Sequence, residues 1–292
     1  MYMADPAIML DKGTYYLYGT SSDEGFEVFQ SADLKNWVGP AGKNTGFALS
    51  KGEAFGTKWF WAPQIFSHKG LYYMAYTANE QIAIATSNTP LGPFKQNTLK
   101  ALSGTGNQID PFIYFDDNGK VYLYHVKLQK GNRIFVVEMK ADLSDIIAGT
   151  EKECISGTEH WENTEKTDWP VTEGPTVLKR NGLYYLIYSA NDFRSKDYSV
   201  GYATSSTPVG PWKKYSGNPI ISRSQLNLNG TGHGDIFFDK DGKMKYVMHI
   251  HNSNSKVSPR ATGIINVEFK KNGKSEDIIV ADPASFNVLK VN

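Results

Sequence analysis

Cysteine is all but missing from this chain: Cys154 is the only one in 292 residues. No intramolecular disulfide can form, the redox compartment is left open, and the thiol reads as inert. No run of about 18 apolar residues occurs, which removes a membrane-spanning helix from consideration. The opening MYMADPAIM has no basic segment followed by an apolar one, so no targeting signal is visible. An excess of either charge is lacking too. Lys and Arg number 31 against 30 Asp and Glu, a formal charge of +1, so no broad field favours nucleic acid or an anionic membrane, and neutral partners fit better. Helical periodicity is hardly detectable. What is plentiful is aromatic: 13% of the chain, with 17 Tyr and 6 Trp, a richness that suits half-buried strands and stacking against sugar rings.

One hairpin recurs. TEGPTVLKRNGLYYLIYS has a polar opening, a short apolar strand, a turn at Asn181 and Gly182, and a second strand built on Tyr184 and Tyr185. MADPAIMLDKGTYYLYGT, WAPQIFSHKGLYYMAYT and IDPFIYFDDNGKVYLYHV repeat it. With Pro6, Pro63, Pro111 and Pro175 set in one column, the turn glycine follows at Gly13, Gly70, Gly119 and Gly182. A fifth copy, GHGDIFFDKDGKMKYVMHI, puts Asp235 in the proline column and Gly242 at the turn. A third strand follows each hairpin, and copies two and four close alike, with ATSNTPLGPF and ATSSTPVGPW. Antiparallel units repeated every few tens of residues are what propeller blades look like in sequence. The expected fold is all-β, a five-bladed β-propeller forming one domain over residues 1–292; a β-sandwich would not need the same signature five times.

In a propeller the first strand of each blade lies nearest the central channel, so corresponding residues at the strand starts form a ring. The alignment places Asp5, Ala62, Asp110 and Gly174 in that ring from the position before the proline column. Trp61, Glu173 and His233 come from the position before that. Three carboxylates in a concave, aromatic-lined mouth suit glycosidic-bond hydrolysis, which needs a protonated acid for the leaving oxygen and an ionised carboxylate. Asp before Pro is also a common turn element, and what sets these apart is their agreement with the repeat register.

ADPAI, WAPQI, IDPFIYF, TEGPTV and GTGHGDIFF, in that order and across essentially the whole chain, resemble glycoside hydrolase family 43. The resemblance implies a five-bladed propeller acting on plant polysaccharide as an α-L-arabinofuranosidase, β-xylosidase or arabinanase, with inversion. Carried over, it makes Asp5 the base that activates water, Glu173 the acid, and Asp110 the group that tunes and orients Glu173. Inversion implies base and acid carboxyls roughly 6.5 to 9.5 Å apart. Trp61 and Phe60 are expected as pocket walls, with a buried blade aromatic as the competing reading of Phe60, and Arg260 in SPRATG is expected as a sugar contact, with a solvated loop arginine as its competitor. His233 is expected to face the channel near a bound calcium ion, as a weak or water-mediated contact, or else as a metal-free structural histidine. The expected activity is exo-acting α-L-arabinofuranosidase, with β-xylosidase next, arabinanase or galactan-active variants behind, and a non-catalytic carbohydrate-binding propeller as the reading of another class. A monomer is expected, secreted or periplasmic with its leader removed.

Some acids fall outside the register. VADPASF repeats ADPA without the turn glycine and tyrosine pair, so Asp282 reads as a loop acid before a final strand. Glu159, Glu162 and Glu165 in GTEHWENTEKTDW read as solvated, with Trp161 or Trp169 available to rim the pocket.

Overall fold

The computed structural model describes residues 1–273 and 276–291; five of their antiparallel sheets are arranged as the blades of a propeller, and Gly25–Glu27 pairs with Phe47–Ser50 in a small sixth sheet. Their innermost strands are Ala4–Asp11, Trp61–His68, Gln108–Phe115, Thr172–Arg180 and Gly232–Phe238. Each packs against the innermost strand of the next blade, and the last against the first. Blade two has three strands, the others four. The circle closes where the chain ends meet. Met1 donates its ammonium to the Leu289 carbonyl at 2.7 Å, and Met3 exchanges two hydrogen bonds with the Thr262 hydroxyl.

Sheets covered on both faces account for the sequence pattern. Leu183–Ala190, LYYLIYSA, is buried along all but its first residue, so it reads as a continuous apolar run and not as an alternation. Buried tyrosines then need partners for their hydroxyls, and the two matching closing motifs supply them. Tyr18 of blade one donates to the Pro90 carbonyl in NTPLGPF at 2.5 Å, and Tyr124 of blade three donates to the Pro208 carbonyl in STPVGPW. The repeated motif is thus a latch from one blade to its neighbour.

Each innermost strand carries a bulge just after its first paired residues. At the bulge the backbone enters the left-handed region, at Asp5 (φ 49°), Ala62 (46°), Asp110 (56°), Gly174 (60°) and His233 (40°). This conformation costs a non-glycine residue on the order of 1 kcal/mol or more, and it redirects the side chain out of the sheet. At Gly174 glycine is required on a second ground, since a Cβ there would lie 2.8 Å from the His233 ring.

These five positions correct the alignment of blade five. His233 shares a column with Asp5, Ala62, Asp110 and Gly174, not with Glu173 and Trp61, and Gly234 takes the proline position that was assigned to Asp235. The shift arises at the hairpin turn. The Asp239 turn of blade five bonds like the Asp116 turn of blade three, each aspartate N–H reaching the lysine carbonyl beyond the glycine, so both hairpins are one residue longer than the rest.

Asp282 is also corrected. It lies inside the last strand, Ile278–Val288, opposite Asn266, on an outer edge where Pro283 is tolerated because that edge needs no further ladder donor. Glu162 is completely buried, accepting N–H bonds from Thr158 and Glu159 and bonds from Lys214 and Tyr188, so it braces its loop. Glu159 and Glu165 are exposed.

Candidate active site

Asp5, Asp110 and Glu173 come from blades one, three and four, yet line one cavity of about 390 Å³ at the channel mouth, together with Trp61, Trp169, Phe193 and Arg260. A space of that size fits a small ligand held by aromatic faces and a few polar groups.

Asp5 is buried, and its carboxylate is set among a hydroxyl, a guanidinium and two imidazoles. Oδ2 accepts from the Thr20 hydroxyl at 2.7 Å. Oδ1 lies 3.1 Å from Nη1 of Arg260, 3.3 Å from Nδ1 of His249 and 3.4 Å from Nδ1 of His233. Burial is the largest single influence and raises its pKa, but the Arg260 guanidinium and the neighbouring His233 and His249 together outweigh burial and hold it well below the usual carboxylate range. Burial, and then the same arginine, depress His249 to about 3. Burial lowers His233 as well.

Glu173 is set the other way. Burial is the largest influence and pushes it up to about 7. Hydrogen bonds to its carboxylate pull down against that, while the charges of Asp5 and Asp192 add to it. Those bonds come from the Tyr198 hydroxyl to Oε1 and Nδ2 of Asn132 to Oε2, both at 2.8 Å. The Asn132 amide is oriented by its other end, where Oδ1 accepts from the Trp169 indole at 2.9 Å.

Asp110 accepts the Gly174 N–H at 3.1 Å on Oδ2, which lies 3.9 Å from Nδ1 of His233. Burial, followed by the charges of Glu173 and Asp5, raises it well above the usual range. Asp110 and Glu173 titrate as a pair, and the pair retains a proton near neutral pH.

Arg260 is half-buried at the wall, its guanidinium 4.5 Å above the Phe193 ring. Trp61 lines the cavity and stacks on Trp59, with centroids 5.6 Å apart. Trp169 stands at the rim, 48% exposed, whereas Trp161 lines a separate pocket and leans on Tyr188. Phe60 is corrected: its side chain has no exposed surface and sits in the core between Phe26 and Tyr76, because Trp61, the next residue along the strand, takes the face toward the cavity.

The donor set at His233 suits calcium poorly. Below the mouth the channel narrows to about 30 Å³. Its one further carboxylate, Asp235, already accepts from Thr176. Among the described residues no group of three or more His, Cys, Asp or Glu is placed to hold a metal ion, while calcium takes about six to eight oxygens.

His249, Tyr198 and Asn132 escaped the sequence reading. For His249 a signal was present, since it occupies the column where blades one, two and four carry Thr20, Thr77 and Ser189.

The sequence matches the family described as Glycosyl hydrolases family 43 over residues 1–275. A solved structure from Bacteroides thetaiotaomicron, named an endo-1,4-β-xylanase, is 41% identical, with a TM-score of 0.89 over 99% of this chain and 97% of that one. A β-D-galactofuranosidase from Aspergillus niger is 27% identical over 84% of this chain and 73% of its own length. An extracellular exo-α-(1→5)-L-arabinofuranosidase from Cellvibrio japonicus is 23% identical over 85% and 78%. The chain spans about half the length of other curated relatives it matches.

Proposed function

The chain belongs to glycosyl hydrolase family 43, and from that premise we propose that it is an exo-acting, inverting α-L-arabinofuranosidase working on plant cell-wall material. The observation that carries this reading is the opposite setting of two carboxylates in one cavity, Asp5 held ionised by Arg260 and Glu173 raised to about 7. Such a pair divides the work of base and acid.

In this mechanism a water attacks the anomeric carbon from the Asp5 side and gives its proton to that carboxylate. The bond from the anomeric carbon to the departing oxygen breaks, and Glu173 protonates that oxygen. Attack opposite the leaving group inverts the centre. Asp5 then returns its proton to solvent and Glu173 regains one. Asp110 keeps the proton count of the pair, and Arg260 orients the sugar while keeping Asp5 ionised.

Exo action is supported by the narrowing of the cavity, from about 390 Å³ at the mouth to about 30 Å³ below it, which stops a sugar chain from threading the channel. A furanose ring is supported by two of the relatives, since α-L-arabinofuranose and β-D-galactofuranose share their ring configuration. The 41%-identical relative named a xylanase favours a second reading, action on β-xylosides. A panel of chromogenic α-L-arabinofuranosides, β-D-xylosides and β-D-galactofuranosides separates these. The arabinofuranoside is expected to turn over fastest, with its product released in the inverted configuration by proton NMR. Sugar binding without turnover on any substrate would instead identify a binding propeller.

A further inference from the structure

Each left-handed residue at the channel mouth donates its backbone N–H toward the preceding blade. Ala62 donates to Oγ1 of Thr20 at 3.0 Å, Asp110 to Oγ1 of Thr77 at 2.9 Å, and His233 to Oγ of Ser189 at 2.7 Å. These acceptors share one column of the second strands, opposite Ala4, Trp61 and Glu173. In that column blade three has Val126, opposite Ile109, which cannot accept, and the Gly174 N–H goes to the Asp110 carboxylate instead. Blade five has His249, opposite Gly232, and the Asp5 N–H donates to its Nδ1 at 3.2 Å. The ring of five bonds therefore closes at Asp5, through an imidazole where blades one, two and four use a hydroxyl and blade three a carboxylate.

We propose that His249 is a positioning residue for Asp5, its Nδ1 accepting the Asp5 N–H and so holding that residue in the left-handed conformation that aims its carboxylate at Arg260 and the cavity. The inference rests on the reading of Asp5 as the base. The imidazole is wholly buried and stacked on Tyr198, with centroids 5.5 Å apart. The charged or titratable groups that face it are Asp5, Arg260 at 3.4 Å from Nε2, and His233, its ring centroid 6.2 Å away. Beside a fixed arginine and inside the protein the ring is neutral, and Nδ1 accepts in the tautomer that carries its proton on Nε2. Without that acceptor the Asp5 N–H is a buried donor with no partner, and the strained bulge loses the bond that offsets its cost.

The test compares His249→Val with His249→Thr, two substitutions of nearly equal shape of which only threonine restores the acceptor used in blades one and two. His249→Val is expected to lower kcat about 100-fold through misplacement of the base, with KM little changed because Arg260 and the walls stay. His249→Thr is expected to recover about tenfold of that loss. Val247→Ala, in the core of the same strand, serves as a stability control that lowers Tm without lowering kcat per folded molecule. Equal kcat for the two His249 variants, or wild-type kcat for the valine variant, would overturn the proposal. Asp5→Asn is run alongside: if it stays active the base assignment fails, whereas an inactive Asp5→Asn beside an active His249→Val defeats only the present inference. Should neither His249 variant fold, NMR of the wild-type protein decides, since the proposal requires a through-bond coupling between the Asp5 amide proton and a His249 ring nitrogen and its absence refutes it.

Discussion

Tyr198 and His249 lie face to face, their planes 10° from parallel, and this one stack joins two carboxylates set in opposite ways. The Tyr198 hydroxyl donates to Glu173 and the His249 ring accepts from the Asp5 backbone. Both rings are wholly buried, so neither acid can shift without moving an aromatic face against its neighbour.

Tyr198→Phe keeps the stack and removes one donor. That donor favours ionised Glu173, so its loss raises the pKa of Glu173 and keeps the acid protonated to higher pH. The basic limb of kcat/KM is expected to move alkaline by up to about one unit, with kcat falling only a few-fold. pH–rate profiles check this, and a limb that moves to lower pH contradicts it.

Leaving-group chemistry separates the roles of the acids. Protonation matters most when the departing alkoxide is a strong base, as in an oligosaccharide, and least for an activated phenol. Glu173→Gln should cost roughly 10³-fold on natural substrates and far less on activated aryl glycosides, and Asp110→Asn should show a milder form of that bias. Asp5→Asn should cost about 10³-fold on both while ligand binding stays measurable by calorimetry. Equal losses on both substrate classes for Glu173→Gln, with chemistry rate-limiting, would mean that another group is the acid.

The residues legible in the sequence were those tied to the repeat. Proline, turn glycine and tyrosine pair recur because every blade needs the same bulge, turn and covered strand, and the register carried Asp5, Asp110 and Glu173 to one mouth. Blade five was misread by one position because Gly234 stands where proline marks the others and its turn is longer. Phe60 and Glu162 were misplaced for a different reason. Which neighbour of a pair faces the core, and whether a loop glutamate is capped by N–H groups and a lysine, depends on contacts between distant segments that leave no local pattern.

Stability should depend on pH through Glu173. Its folded pKa of about 7 lies above the unfolded value near 4.3, so between these the native state binds more protons than the unfolded chain, and stability falls as pH rises. Glu173→Gln removes that dependence. The variant is expected to match wild type in denaturant titrations near pH 4 and to exceed it by about 1 to 3 kcal/mol at pH 8. A variant less stable than wild type at pH 8 would show that Glu173 is ionised in the folded protein at no cost.

Val126→Thr supplies the acceptor that blade three lacks. Val126 is wholly buried, so a hydroxyl without a partner there should cost about 1 to 3 kcal/mol, whereas one that takes the Gly174 N–H should change stability by less than about 1 kcal/mol. Blade symmetry favours the second outcome, because Thr77 takes the Asp110 N–H from the corresponding position. Asp110 would then lose the only backbone donor that favours its ionised form. Its pKa would rise further, since burial and the charge of Glu173 already oppose its ionisation. The raised pKa of Glu173 itself comes from burial and from the charges of Asp5 and Asp192, so the basic limb of kcat/KM should stay in place, in contrast to the effect of Tyr198→Phe, with unchanged Tm. A lowered Tm would mean that the hydroxyl never reached Gly174, and a moved limb would mean that the Gly174 bond to Asp110 controls the proton of Glu173.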